Sequence, residues 1–357
     1  MKMKDDFAAA MRRSLDQARA GNPMEATRLI QEALGAGPAS GEDVPPSPQG
    51  GQRRTRQPLS QVLEALARRP AGVGIRPNGK SPQLDIPEGA SFERLHHRGP
   101  EGARDYLLYR PSATHGPVHG MVLMLHGCTQ TPEDFAAGTR MHLHAEKHGL
   151  LVAYPEQTRS ENAQLCWNWF RPGDQGRSRG EAALLAGLAT SVAGAHGVPP
   201  DRVFVAGLSA GGAMAAILAN THPEIIAAAG IHSGLAAGSA QDVISAFAAM
   251  RGDAAPGAEP LRAPAIIFHG SADATVAPAN AGRLAGPLDE TVRRTGSTPG
   301  RRFDVLEGRN AAGHAVEVWR IDGAGHAWSG GDAGGSYTDP AGPDASAEMV
   351  RFFLSGA

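Results

Sequence analysis

Hydrophobic and polar positions fall into two regimes along the 357 residues. From about residue 104 onward, short apolar runs alternate with longer segments of helical period. Met121–Leu125, Leu150–Tyr154, Val203–Ala206, Ile225–Ile231 and Ala265–Phe268 are runs of strand length, apolar enough to be buried on both faces. Tyr106–Tyr109 reads as a further strand, and Val316–Ile321 as a last one with alternating polarity. Between and after these runs, Phe135–His148, Glu181–His196, the Ala-rich stretch after Ser209 and Ala345–Leu354 read as helices. Strands of this kind separated by helices predict an α/β fold, a mostly parallel sheet with helices on both faces. In such sheets chemistry collects at the carboxyl ends of the strands.

The first hundred residues follow a different rule. Phe7, Met11, Leu15 and Ala18 recur at helical spacing, Gly21-Asn22-Pro23 breaks the pattern, and Ala26, Leu29, Ile30, Ala33 and Leu34 resume it. Residues 1–35 are therefore expected to form a helical hairpin. Its two apolar stripes need a cover: the catalytic domain, a second copy, or an apolar surface, with simple packing the favoured reading. Residues 36–103 read as a Pro/Gly-rich linker holding a short helix at Leu59–Arg69, and residues 104–357 as the catalytic domain.

Composition narrows the function without naming it. Basic and acidic side chains nearly balance, 34 against 36, so neither a nucleic-acid nor an anionic-membrane footprint is indicated. No apolar run approaches the ~18 residues of a membrane span. The start, Met-Lys-Met-Lys-Asp-Asp-Phe, lacks the apolar stretch of a secretory signal, so the expected location is the cytoplasm. The two cysteines, Cys128 and Cys166, are too few for a disulfide framework or a cysteine-based zinc site. Neither a metal nor an organic cofactor is expected.

The candidate chemistry sits where strands end. Gly207-Leu208-Ser209-Ala210-Gly211 fits G-x-S-x-G between a buried strand and an Ala-rich helix, the setting of a nucleophile elbow. Small residues flanking Ser209 let the backbone fold sharply, and the helix aims its free N–H groups at the same spot. After Ala265–Phe268 comes His269-Gly270-Ser271-Ala272-Asp273, which makes Asp273 the candidate acid, ahead of Asp322 and Asp332. After Val316–Ile321 a Gly-rich loop carries His326, the candidate base. After Met121–Leu125 comes His126-Gly127-Cys128, and the N–H groups of Cys128 and Ala210 are the candidate oxyanion donors. His126 precedes the serine and is expected to be structural. A loop of about 25 residues after Tyr154, long enough to suggest function, holds Trp167 and Trp169. With Trp328, these rings either line an apolar substrate cleft or pin the loop down.

His-Gly-Cys-Thr-Gln (126–130), Cys-Trp-Asn-Trp-Phe (166–170), Gly-Leu-Ser-Ala-Gly-Gly (207–212), His-Gly-Ser-Ala-Asp-Ala-Thr-Val (269–276) and Gly-His-Ala-Trp-Ser-Gly-Gly (325–331) together resemble the esterase/polyhydroxybutyrate (PHB) depolymerase family of the α/β-hydrolase superfamily. The likeness spans roughly residues 104–355. It implies a serine-dependent carboxylic ester hydrolase with Ser209, Asp273 and His326 as its triad, acting on short-chain polyhydroxyalkanoate or its oligomers. Feruloyl- or acetyl-type small esters are the alternative substrates, and an inactive, granule-associated binding protein is a third reading. The resemblance also makes a Cys128–Cys166 disulfide plausible and an extracellular location the alternative to the cytoplasmic one; a cytoplasmic chain would keep both thiols reduced.

Overall fold

The computed structural model describes residues 82–113, 116–253 and 260–356. The expected hairpin over 1–35 and the helix at Leu59–Arg69 lie outside the described residues. The described residues form twelve strands: β1 Ser91–Gly99, β2 Gly102–Arg110, β3 Gly120–Leu125, β4 Leu150–Pro155, β5 Val203–Leu208, β6 Ala228–His232, β7 Ala265–Gly270, β8 Leu288–Ser297, β9 Arg302–Asn310, β10 Ala315–Ile321, and the two-residue pair β11 Trp328–Ser329 and β12 Thr338–Asp339. Ten of them make one sheet in the order β1-β2-β4-β3-β5-β6-β7-β10-β9-β8. Strands β4, β3, β5, β6, β7 and β10 run parallel. Antiparallel partners flank them, β1 and β2 on one side and β9 and β8 on the other.

The parallel centre follows from the apolar runs. On β5, Val203 and Val205 join one core layer while Phe204, Ala206 and Leu208 join the other, so every side chain of the strand is buried. One layer packs under helices α3 (Gly180–Ala195) and α4 (Ala210–Thr221). The opposite layer packs under α1 (Pro132–Thr139), α2 (Met141–His148) and α7 (Ala345–Leu354). Two further helices, α5 (Val243–Met250) and α6 (Ala279–Ala285), follow β6 and β7. The α/β-hydrolase expectation of a mostly parallel sheet covered on both faces holds.

Several local expectations shift. The single helix read over Phe135–His148 is two helices, because Arg140 turns left-handed at φ 51° and caps α1 with its N–H on the Ala136 carbonyl. The run Ile225–Ile231 yields a strand only from Ala228; before it the chain turns around His222, whose carbonyl accepts from Ile225 and Ile226. The sheet also begins upstream of residue 104, since β1 pairs along its whole length with β2. At the far edge, β8 and β9 form a hairpin whose outer strand is exposed at nearly every position. With neither face buried, β8 carries no alternation of apolar and polar residues to read.

Candidate active site

The turn after β5 is tight. Ser209 holds φ 58° and ψ −118°, a strained conformation for a residue with a Cβ. A Cβ on Gly211 would lie 1.9 Å from the Leu125 carbonyl oxygen, so the start of α4 can approach the end of β3 only as glycine. The Ser209 N–H donates to the His232 carbonyl at 2.9 Å. Ala210 opens α4, and its N–H therefore has no acceptor within the helix.

The end of β3 faces this turn. An added Cβ on Gly127 would stand 3.7 Å from Ser209 Cβ. Around Cys128 the neighbouring donors are occupied: Gly127 N–H by Gln130 Oε1 at 2.9 Å, Thr129 N–H by the Gln164 carbonyl at 2.8 Å. Among the described residues, the N–H groups of Cys128 and Ala210 have no protein acceptor. A pair of free backbone donors flanking a serine hydroxyl is the arrangement that stabilises a negative oxygen. His126 sits beneath. Its Nε2 accepts from the Gln157 N–H at 3.2 Å, so Nδ1 carries the proton and donates to the Gly127 carbonyl at 2.8 Å. Both ring nitrogens are thereby engaged by backbone groups.

Asp273 and His326 meet directly. His326 Nδ1 donates to Asp273 Oδ2 at 2.7 Å, and the carboxylate's other oxygen accepts from the N–H groups of Thr275 and Val276, each at 2.9 Å. Burial works against the charge on Asp273. The donated bond and the positive field of His326, with the Val276 N–H, outweigh it and hold the carboxyl below its ordinary range. The two loops are laced together beneath this contact. Ser271 N–H donates to the Ile321 carbonyl, Ala272 N–H to Ala324, and Gly323 N–H to Ser271 Oγ. Gly270 allows this closeness; a Cβ there would lie 2.3 Å from the Ala324 carbonyl oxygen. The rival acids have other work: Asp322 is exposed, and Asp332 caps a turn at Gly334. Among the described residues, neither Ser209 Oγ nor His326 Nε2 has a hydrogen-bond partner.

The aromatic residues are not where a cleft needs them. Trp167 and Trp328 are 0% and 1% exposed, and Trp169 only 6%. Trp167 lies beside His126 and beneath the Arg104 guanidinium; Trp169 meets Phe170 edge-on. Trp328 stacks on His232 and donates from Nε1 to Ser346 Oγ at 3.1 Å. Burial in the two core layers favours the second of the two expected readings, in which these rings pin the loop down. The loop itself is anchored by residues that sequence reasoning missed. Glu181, in the first turn of α3, accepts from the Asn168 N–H at 2.6 Å, from Asn168 Nδ2 at 2.8 Å and from Gln157 Nε2. Burial nevertheless pushes its carboxyl above the ordinary range. A disulfide between Cys128 and Cys166, with Cα atoms 4.2 Å apart, ties this loop to the turn after β3.

Two buried histidines make the region acid-sensitive. Burial pushes the imidazoles of His126 and His232 down to about 4 and about 3. Above pH ~6.5 both folded and unfolded forms are neutral, so neither ring affects the balance. Below it the unfolded chain takes up protons that the folded chain refuses, and stability falls with pH until the folded rings titrate. At pH 5 each ring is expected to cost ~2 kcal/mol. Urea midpoints between pH 7.5 and 5 check this, and a flat series would show that the rings do not stay neutral.

Comparison with known proteins gives the chemistry its context. The family described as esterase PHB depolymerase matches residues 104–307, more than half of the chain. The chain belongs to that family. Its members are carboxylic ester hydrolases of the α/β-hydrolase class. The chain is 33% identical over 226 residues to poly(3-hydroxyalkanoate) depolymerase C of Paucimonas lemoignei, a match covering 58% of this chain and 54% of that protein. It thus spans about half the length of that relative. A probable acetylxylan esterase A of Aspergillus clavatus is 28% identical over 244 residues, 62% of this chain and 76% of that one. Among solved structures, the acetyl xylan esterase from Aspergillus awamori shares the fold with a TM-score of 0.54 at 22% identity, over 66% of this chain and 94% of that one. No helix among the described residues is long and apolar enough to cross a membrane.

Proposed function

We propose that this chain is a serine-dependent carboxylic ester hydrolase that cleaves short-chain polyhydroxyalkanoate or its oligomers through an acyl-enzyme. The observation that carries the reading is the Asp273–His326 bond, with the free nitrogen of His326 left for the Ser209 hydroxyl on its strained turn. Ser209 Oγ attacks the ester carbonyl as its proton passes to His326 Nε2. The carbonyl oxygen, now an anion, is held by the N–H groups of Cys128 and Ala210. Collapse breaks the bond to the alcohol, which leaves with the proton from His326. Water then loses a proton to His326 and adds to the acyl-serine; collapse frees the acid and returns the proton to Ser209. Asp273 holds the imidazole in the tautomer that can accept, and stabilises it while it is charged.

The polyester substrate is supported by the likeness to the P. lemoignei depolymerase, and small acetyl esters by the likeness to the acetylxylan esterase. Turnover of 3-hydroxybutyrate oligomers, feruloyl esters and p-nitrophenyl acetate, measured side by side, separates them. The polyester reading expects the highest kcat/KM on the oligomers, and no turnover of any ester would overturn the whole assignment. The disulfide supports an oxidising, extracellular setting over the cytoplasmic one. Deletion of residues 1–57 that spares small-ester turnover but releases the protein from polyester particles would make that segment an anchor.

A further inference from the structure

His232 ends β6 and has no part in the chemistry proposed above, yet it touches both halves of the site. Its carbonyl oxygen accepts the Ser209 N–H at 2.9 Å, fixing the backbone of the nucleophile turn. Its side chain reaches the other way: Nε2 accepts the N–H of Ser329 at 3.0 Å, three residues beyond His326. Nδ1 lies 3.2 Å from Ser233 Oγ. The ring is stacked between Phe268 of β7, with centroids 5.8 Å apart, and Trp328, at 5.3 Å. One residue therefore joins the serine turn, the strand that leads to Asp273, and the loop that carries His326.

We propose that His232 is a positioning residue, a strut that sets the distance between Ser209 and His326 through the Ser329 N–H. The inference rests on the serine esterase reading. Its physical basis is that the loop bearing His326 has no regular structure until Trp328, so its placement must come from specific contacts. The Asp273 bond holds one imidazole nitrogen, and the Ala272 and Gly323 N–H bonds tie the loop before His326 to the turn after β7. After His326, the Ser329 N–H on His232 joins the Trp328 N–H on the Tyr337 carbonyl in fixing the chain, and of the two only His232 also holds the Ser209 N–H. A histidine fits this place because it combines two properties. Its flat ring fills the slot between Phe268 and Trp328, and an in-plane nitrogen presents an acceptor to a buried backbone donor. The acceptor is dependable because burial, aided by the positive fields of His269 and His326, keeps the ring neutral. A protonated ring would turn that nitrogen into a donor and set it against the Ser329 N–H.

Two substitutions divide the properties. His232→Phe keeps the ring and removes the acceptor, leaving the Ser329 N–H buried without a partner. His232→Gln loses the ring but offers an amide oxygen. With p-nitrophenyl acetate, His232→Phe is expected to lower kcat by about 10- to 100-fold while KM stays within about threefold, because a shift of ~1 Å between reacting groups costs on that order. His232→Gln is expected to recover most of the loss. Amide hydrogen exchange reads the strut without any activity: Ser329 should be protected in the wild type and exposed to exchange in His232→Phe. Wild-type kcat in His232→Phe, equal losses in both variants, or a loss confined to KM would overturn the proposal. If neither variant folds, 15N spectra of the wild type decide, since a protonated His232 Nε2 at pH 6 contradicts the acceptor role. A wild type that hydrolyses no ester would sink the esterase reading alone, with the exchange result still judging the strut.

Discussion

Ser209→Ala is expected to lower kcat for p-nitrophenyl acetate by about 10⁴- to 10⁶-fold, the scale on which removal of the nucleophile collapses a triad. The loss should fall on kcat with little change in KM, because the hydroxyl makes no bond to another side chain and the donors of Cys128 and Ala210 stay in place. Stability should hardly move. Alanine keeps the Cβ that strains the backbone at φ 58°, so neither the strain nor its relief enters the comparison. Active-site titration with a fluorophosphonate should label the wild type at Ser209 and leave the variant unlabelled. A Ser209→Ala/His326→Ala double variant should be no slower than Ser209→Ala, since the two side chains act as a unit. Residual turnover near the wild-type rate would move the nucleophile elsewhere.

Asp273→Asn is expected to cost about 10⁴-fold in kcat, through the proton on His326 rather than through shape. The geometry decides which way the amide must face. One carboxylate oxygen accepts two backbone N–H groups, from Thr275 and Val276, and only an oxygen can stay there. The asparagine Nδ2 is then forced toward His326 Nδ1, donor against donor. The imidazole answers by moving its proton to Nε2, where it faces Ser209 and can no longer accept. Asp273→Ala lacks the opposing donor and serves as the comparison. A rate for Asp273→Asn within tenfold of the wild type would show that Asp273 does not set the tautomer.

How far the sequence carried this reading depends on what each residue leaves in the local pattern. The parallel strands were legible because burial on both faces writes an unbroken apolar run, as in β3, β5 and β7. Ser209, Asp273 and His326 could be nominated because each follows such a run beside glycines. The structure brings the last two within hydrogen-bonding distance. The tryptophans stayed open between cleft and packing, since aromatic residues on a long loop look the same in sequence whether they face solvent or core. Trp328 proved to be core because its ring is clamped by His232 and Ser346, partners distant in the chain. Glu181 was hidden for a related reason. A carboxylate at a helix start normally reads as solvent-exposed, and only the fold shows Asn168 and Gln157 converging on it. His232 did carry a usable signal, standing like the others at the end of an apolar strand. Arg140 carried a weak one, since Gly138 and Thr139 just before it are poor helix formers.

The sulfur link between Cys128 and Cys166 closes a covalent loop across a separation of 38 residues, and α1, α2 and β4 all lie inside it. A protease that cuts once within this ring leaves a single molecule, its two fragments still joined at the turn after β3. Nicked protein would migrate as an intact chain on a non-reducing gel and fall into two pieces only when a thiol is added. The same ring keeps the backbone donor beside Ser209 attached to the aromatic loop after such a cut, so damage at this surface need not silence the site.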